Sequence, residues 1–251
     1  MRVEVDGAVA TLWLSRPDRL NALTFDEYAA LVAWFRAPPA GVHAVVVTGE
    51  GRAFCSGGDV EDIIGQLFAR DMEGLLAFTR MTVDLVRAIR GCRAPVIAAV
   101  NGMAAGAGAI VAMASDLRVA SPRGRVAFLF NKVGLCGADM GAAHLLPRIV
   151  GLGRATEMLL LGDTVDAEAA LRCGLFNRVV PEEVLLSEAR ALAARIAAGP
   201  RFANGMTKEA LNRELDVSLD TALEMEAQAQ AICMAHPDFR AAYEAWKAKK
   251  P

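Results

Sequence analysis

The chain has 251 residues, a formal net charge of −2 and 54% hydrophobic side chains, enough for one large domain or for a domain with an appendage. The near-neutral balance excludes the basic field that nucleic acid requires, and no apolar run reaches the length of a membrane span, since Asp116 and Arg118 interrupt the richest region. Five scattered cysteines (Cys55, Cys92, Cys136, Cys173, Cys233) show neither disulfide nor zinc spacing, which reads as reduced thiols in a cytoplasmic protein.

In chain order, residues 3–14 alternate as two short strands around Asp6-Gly7, a strand pattern rather than a secretory leader. Arg16-Pro17 ends the second. Thr24 is a good N-cap for a helix over 25–36, which Pro38-Pro39 ends. A strand follows at 43–48, then a Gly-Glu-Gly turn and the small-residue stretch AFCSGGDV at 53–60. Helical periodicity fills 60–70 and 72–90. Residues 96–100 are β-branched and apolar enough for a buried strand. It breaks at Asn101-Gly102, passes through small residues to Gly108, and enters an apolar helix at 109–114. Short strands are expected at 117–120 and 126–128, a helix at 139–150, short helices at 155–161 and 167–173, and a last strand at 176–180. From Glu182 the pattern is wholly helical (183–198, 207–214, 219–235, 238–249), with Gly199-Pro200 as a hinge. Alternating strands and helices predict an α/β fold with a mostly parallel sheet. The division is a core at 1–198 and a helical region at 199–251.

Two stretches carry the chemistry. PVIAAVNGMAAGAG (95–108) and AFCSGGDV (53–60) each leave a strand through small residues, where backbone N–H groups are unpaired and a ligand can approach closely. About fifty residues apart, they can each offer one N–H to the same oxygen, as an oxyanion hole does. Tight packing of helix on sheet also calls for small residues. GAGA at 106–109 and GLGRA at 151–155 lack the third glycine of a dinucleotide fingerprint. There is no G-x-S-x-G elbow, and the three histidines are far apart in sequence.

These two stretches, in this order and spacing, resemble the crotonase superfamily of enoyl-CoA hydratases and isomerases. The resemblance runs from SRPDRLNALT (15–24) through PRIVGLGRATEMLLLGDTVDAEAALRCGLFNRVVP (147–181) to HPDFRAAYEAWKAKK (236–250). It implies a crotonase-like spiral of ββα units with a C-terminal helical trimerisation region. It also implies an acyl-CoA substrate, no cofactor beyond the coenzyme A of that substrate, and a homotrimer or dimer of trimers. The oxyanion donors would be the N–H groups of Ser56 and Ala107. Substrate contacts would come from Ala53, Gly57, Gly58 and Asp59 around the first turn, and from Ile110, Phe128, Phe130 and Lys132 around the acyl group. Arg16, Arg19, Lys247, Lys249 and Lys250 could meet the coenzyme A phosphates or simply be solvated. Asp59, Glu61 and Asp62 would support a helix start and face solvent, and Asp116 would pair locally. Tyr243 and Trp246 would line a neighbouring subunit's acyl pocket or pack.

The departures from the hydratases are specific. Of the two glutamates that activate water there, the first position is Ile110, three residues after Ala107. The second lies in FLFNKVGL (128–135) at Lys132, which reads as a surface residue. The acid–base pair for hydration is therefore missing. The next carboxylate, Asp139, resembles the aspartate position of some superfamily isomerases. It would shuttle a proton, its pKa raised by an apolar cavity, or else cap the helix that follows. Movement of a double bond is the most economical reaction. Its rivals are hydration or other enolate chemistry with another base, and an acyl-CoA-binding or assembly subunit without catalysis.

Overall fold

A computed structural model describes residues 1–248 of the chain. Strands β1 (Arg2–Asp6) and β2 (Val9–Leu14) form an antiparallel hairpin. Helix α1 (Phe25–Arg36) starts from a capping box: the Thr24 side chain accepts the Glu27 N–H, and the Glu27 carboxylate accepts the Thr24 N–H. It buries Tyr28, Leu31, Val32 and Phe35, a 3.6-residue stripe. Strands β3 (Ala44–Gly49) and β4 (Ala53–Cys55) lead to a π-helical turn at Val60–Ile64, the single-turn helix α2 (Gly65–Leu67) and the long helix α3 (Met72–Gly91).

Then come β5 (Val96–Val100), β6 (Met103–Ala105), α4 (Ala107–Ala114), β7 (Leu117–Ala120) and β8 (Arg125–Ala127). A 3-10 turn at Leu129–Val133 precedes α5 (Ala142–Val150), α6 (Leu152–Leu161), β9 (Val165–Asp166), α7 (Ala167–Arg172) and β10 (Arg178–Val179). The rest is helical: α8 (Leu185–Ala197), α9 (Arg201–Arg213), α10 (Leu219–Ala235) and α11 (Pro237–Ala248).

The strands form two sheets, ordered β1-β2-β3-β5-β7-β10 and β4-β6-β8-β9. Pairing is parallel except at the edges β1 and β9. Each consecutive pair, β3/β4, β5/β6 and β7/β8, leaves one strand in each sheet. The chain thus advances as the expected spiral of strand–strand–helix units. The second sheet is an addition to the single sheet read from sequence. Of its strands, β8 matches the short strand expected at 126–128, while β4, β6 and β9 are two or three residues long and too short to carry a period-2 signal.

Both faces of the larger sheet are covered, as a parallel sheet requires. Along β3, Val45 and Val47 join the main core with α1 and α3, while Ala44 and Val46 face Leu185, Ala189 and Ala193 of α8. Helix α9 is tied down by Lys208, which is buried. Its ammonium donates to the carbonyls of Ile89 (3.0 Å) and Ala94 (3.4 Å) and pairs with Asp116 at 2.7 Å. Asp116 therefore does not pair locally: its carboxylate also accepts the Val96 N–H at 2.7 Å and joins three distant segments.

Candidate active site

The two small-residue turns meet. Gly57 has φ +108°, and a Cβ on it would lie 3.5 Å from the Ala107 nitrogen and 3.1 Å from the Ala105 oxygen. A side chain there would fill the space in front of the Ala107 N–H. Ala107 opens α4, and its N–H has no acceptor among the described residues; no side chain caps this helix. One turn of unpaired N–H groups thus faces the first turn, with the positive end of the helix dipole behind it. Gly108 lets α4 come this close, because a Cβ there would overlap the Cys55 carbonyl oxygen. The Ser56 N–H, the second expected donor, is engaged: it donates to the Leu20 carbonyl at 3.0 Å. An oxygen placed between Ser56 and Ala107 would share that proton or displace the Leu20 carbonyl.

Two asparagines fix the approach to Ser56. Asn101 Nδ2 donates to the carbonyls of Gly49 (3.0 Å), Gly51 (2.9 Å) and Ala53 (3.2 Å), and its Oδ1 accepts the Gly49 N–H at 3.3 Å. Asn21 Nδ2 donates to the Glu50 and Ala53 carbonyls, at 2.9 and 2.8 Å, and its Oδ1 accepts the Arg16 N–H. Among the described residues, the non-glycine positions with positive φ are Leu20 (50°), Asn21 (58°) and Met140 (46°). Two of them adjoin the first turn, Leu20 through the carbonyl bonded to Ser56 and Asn21 through its bond to the Ala53 carbonyl, while Met140 follows Asp139. Such backbone costs of order 1–3 kcal/mol each and persists where surrounding contacts over-determine it.

Asp139 is half-buried, and among the described residues it makes no ion pair. Its carboxylate accepts the Met140 N–H at 2.8 Å. It lies outside the expected helix: α5 begins at Ala142, behind Met140 and Gly141 in left-handed conformations, with Gly141 as N-cap and no side-chain cap bond. Only the Asp139 backbone carbonyl reaches the helix start, accepting the Ala142 N–H at 2.8 Å. The capping role is thereby corrected. Burial pushes the Asp139 carboxyl above the usual carboxylate range, and the Met140 N–H opposes this only in part. Ile110, Phe128, Phe130 and Met140 belong to the main buried apolar core.

The hydratase positions hold nothing that can move a proton to water. Ile110 is wholly buried, and Lys132 is exposed and paired with Asp163 at 2.8 Å. Ala53 and Gly57 are buried and Gly58 half-buried at the first turn. Asp59 does not face solvent: it is 4% exposed, accepts the N–H groups of Glu61 and Asp62, and pairs with Arg16 at 2.9 Å. The Asp62 N–H and the Arg16 guanidinium hold its carboxyl below the ordinary range. Its bonds position the turn and leave it little to offer a ligand. Arg16 also donates to the Ala22 carbonyl at 2.8 Å. Arg19 pairs with Glu61 on the surface at 2.8 Å. Lys247 ends α11 in the open, with Tyr243 and Trp246 exposed and their rings 6.3 Å apart; Lys249 and Lys250 lie outside the described residues.

The sequence reading missed Asn21 and Asn101. Asn101-Gly102 did mark a turn, and that is the one signal that could have singled out an asparagine.

A family model described as enoyl-CoA hydratase/isomerase matches residues 4–251. The chain is 35% identical to a 1,2-epoxyphenylacetyl-CoA isomerase of Escherichia coli, covering 98% of this chain and 94% of that protein. It is 33% identical to a crotonyl-CoA hydratase of Syntrophomonas wolfei, covering 99% and 95%. A crystal structure from Streptomyces coelicolor A3(2), provisionally described as an enoyl-CoA hydratase, superposes with a TM-score of 0.96 at 51% identity, over 100% of this chain and 92% of that one.

Proposed function

The chain belongs to the enoyl-CoA hydratase/isomerase family, and on that premise we propose that it moves a double bond within an acyl-CoA, with Asp139 as the proton shuttle. The observation that carries this reading is a half-buried carboxyl that, among the described residues, has no ion pair and no helix-capping duty, in a chain whose two small-residue turns meet at the Ala107 N–H. The Asp139 carboxylate takes a proton from one carbon of the acyl chain. The C–H electrons form a new double bond, and the thioester carbonyl becomes an enolate oxygen. That oxygen receives the Ala107 N–H and a share of the Ser56 N–H, while Asp139 returns the proton at the other end of the conjugated system. Each such donor is worth ~3–4 kcal/mol in the transition state. Hydration is disfavoured by Ile110 and Lys132 at the positions that would have to activate water.

Asp139→Asn tests the reading. The amide keeps shape and polarity but exchanges no proton near neutral pH. Turnover of enoyl-CoA substrates should fall on the order of 10²–10⁴-fold in kcat, with acyl-CoA affinity nearly unchanged. Steady-state kinetics with titration calorimetry would check this; a fully active variant would remove Asp139 from the mechanism.

A further inference from the structure

Helix α4 is closed at one end and open at the other. All its residues are buried and none is charged. At its carboxyl end the last carbonyls are taken by cations. The Arg118 guanidinium donates to the carbonyls of Met113 (3.2 Å) and Ser115 (2.6 Å), and Arg90 donates to that of Ala114 (3.5 Å). At its amino end Gly106 offers no side-chain cap, and the Ala107 N–H has no acceptor among the described residues.

Arg118 is the unusual member of this arrangement. It is 6% exposed, and among the described residues no carboxylate pairs with it. Its remaining bond goes to another carbonyl, that of Leu175, at 2.6 Å. Asp116, two positions away, is committed to Lys208 (2.7 Å) and to the Val96 N–H (2.7 Å), with Arg90 at 3.5 Å. Arginine is seldom buried so fully unless it is paired, because an unmatched charge is costly to take out of water. Carbonyls at a helix end need donors, but those donors need not be charged. Burial lowers the guanidinium to about 10, so it stays charged throughout the neutral range. The carboxyl end of α4 therefore has Arg118, Arg90 and Lys208 around it against the single carboxylate Asp116. Cations there cancel the negative end of the helix dipole and leave the positive amino end less opposed. The helix separates its ends by about 12 Å. It lies in the main apolar core, where salt screens little.

We propose that Arg118 is a positioning residue for the reaction: its buried charge, set at the closed end of α4, strengthens the hold of the open end on the negative charge that develops at the thioester oxygen. This rests on the acyl-CoA reading above and adds to it a residue outside the site. The thioester oxygen of a bound substrate is nearly neutral and gains charge only as the enolate forms. The effect therefore falls on kcat and hardly on acyl-CoA affinity. Across ~15 Å at an effective dielectric constant of about 20, one buried charge favours the enolate by about five- to tenfold.

Acetoacetyl-CoA, whose enolate absorbs in the near ultraviolet, tests this without turnover. Bound to the unmodified protein, it should enolise at a lower pH than in free solution. Arg118→Gln keeps hydrogen-bond donors but not the charge. It should shift the enolisation equilibrium of the bound ligand back by about five- to tenfold, while the affinity for butanoyl-CoA stays unchanged. Arg118→Lys keeps the charge and should enolise the ligand as the unmodified protein does, even where its melting temperature falls. Arg90→Gln removes the half-buried second cation and should move the equilibrium in the same direction as Arg118→Gln. An unchanged equilibrium in Arg118→Gln overturns the proposal, and so does an equal loss in Arg118→Lys, since the guanidinium's part would then be geometric. If Arg118→Gln does not fold, an unchanged equilibrium in Arg90→Gln overturns the proposal instead. In each of these cases the acyl-CoA reading stands. An unmodified protein that binds neither ligand, or that binds acetoacetyl-CoA without favouring its enolate, overturns both readings together.

Discussion

Asp139 and Gly57 show how much of the candidate site depends on single atoms. Burial raises the Asp139 carboxyl above its unfolded value of about 4, so the folded state disfavours its ionised form. Stability linked to this group is fully present below about pH 4 and is lost as pH rises through the folded value. Asp139→Asn escapes that loss. Its melting temperature should exceed that of the unmodified protein at pH 7–8, and the difference should vanish below about pH 4. Calorimetric scans across that range would read the sign; a variant less stable at neutral pH would mean that the carboxylate is a structural group. Turnover should depend on the same ionisation, rising with pH through an inflection above the ordinary carboxylate value. Gly57 tests the other half of the site. In Gly57→Ala the new methyl group would stand 3.5 Å from the Ala107 nitrogen, in the space the proposed function gives to the thioester oxygen, at a φ of +108°. We expect kcat/KM to fall on the order of 10²–10³-fold, as on losing an oxyanion donor, with a folded circular dichroism spectrum.

At the scale of elements, the small-residue turn at 53–58 is held where the chain passes between the two sheets, and Asn101 is the clasp. Asn101→Ala would withdraw partners from the Gly49, Gly51 and Ala53 carbonyls and the Gly49 N–H; only the Ala53 carbonyl keeps another side chain, Asn21. Stranding such groups costs about 1–3 kcal/mol each where they are buried. Denaturant titration should therefore show a loss of about 2–4 kcal/mol, with a larger proportional loss of activity than of fold. The sequence made some of these elements legible. Helix α1 was readable to the residue, because Thr24, Glu27 and the 28/31/32/35 stripe are local signals that agree. The two turns that contain Ser56 and Ala107 were readable because small residues at a strand end are a local need. Strands β4 and β6 were not, since a three-residue alanine-rich strand exists only through its partners. The start of α5 was misplaced because Asp139 has the composition of an N-cap. Two left-handed residues, Met140 and Gly141, set it apart from the helix, and backbone conformation of that kind has no periodic signature.

The whole molecule leaves one surface unexplained as a single chain. Helix α9 is docked through Lys208, but α10 and α11 bury no residue fully. Leu219, Leu223, Ile232, Met234 and Phe239 are each more than half exposed along them. Apolar side chains clustered at this density on helices mark a surface that another protein covers. Their own helix pair cannot supply the cover, because two short helices enclose too little volume for a core. A second copy of the chain is the simplest partner, and closed rotational symmetry would bury the same surface in every copy without open-ended growth. We expect a trimer or a dimer of trimers, as the family resemblance implies. Sedimentation velocity at micromolar concentration should return three or six times the 26.6 kDa chain mass. Leu219→Glu with Leu223→Glu, both exposed in the single chain, should shift the mass toward the monomer with little change in secondary structure. A stable, active monomer in the unmodified protein would refute the assembly, and the exposed face of α10 and α11 would then belong to a different partner.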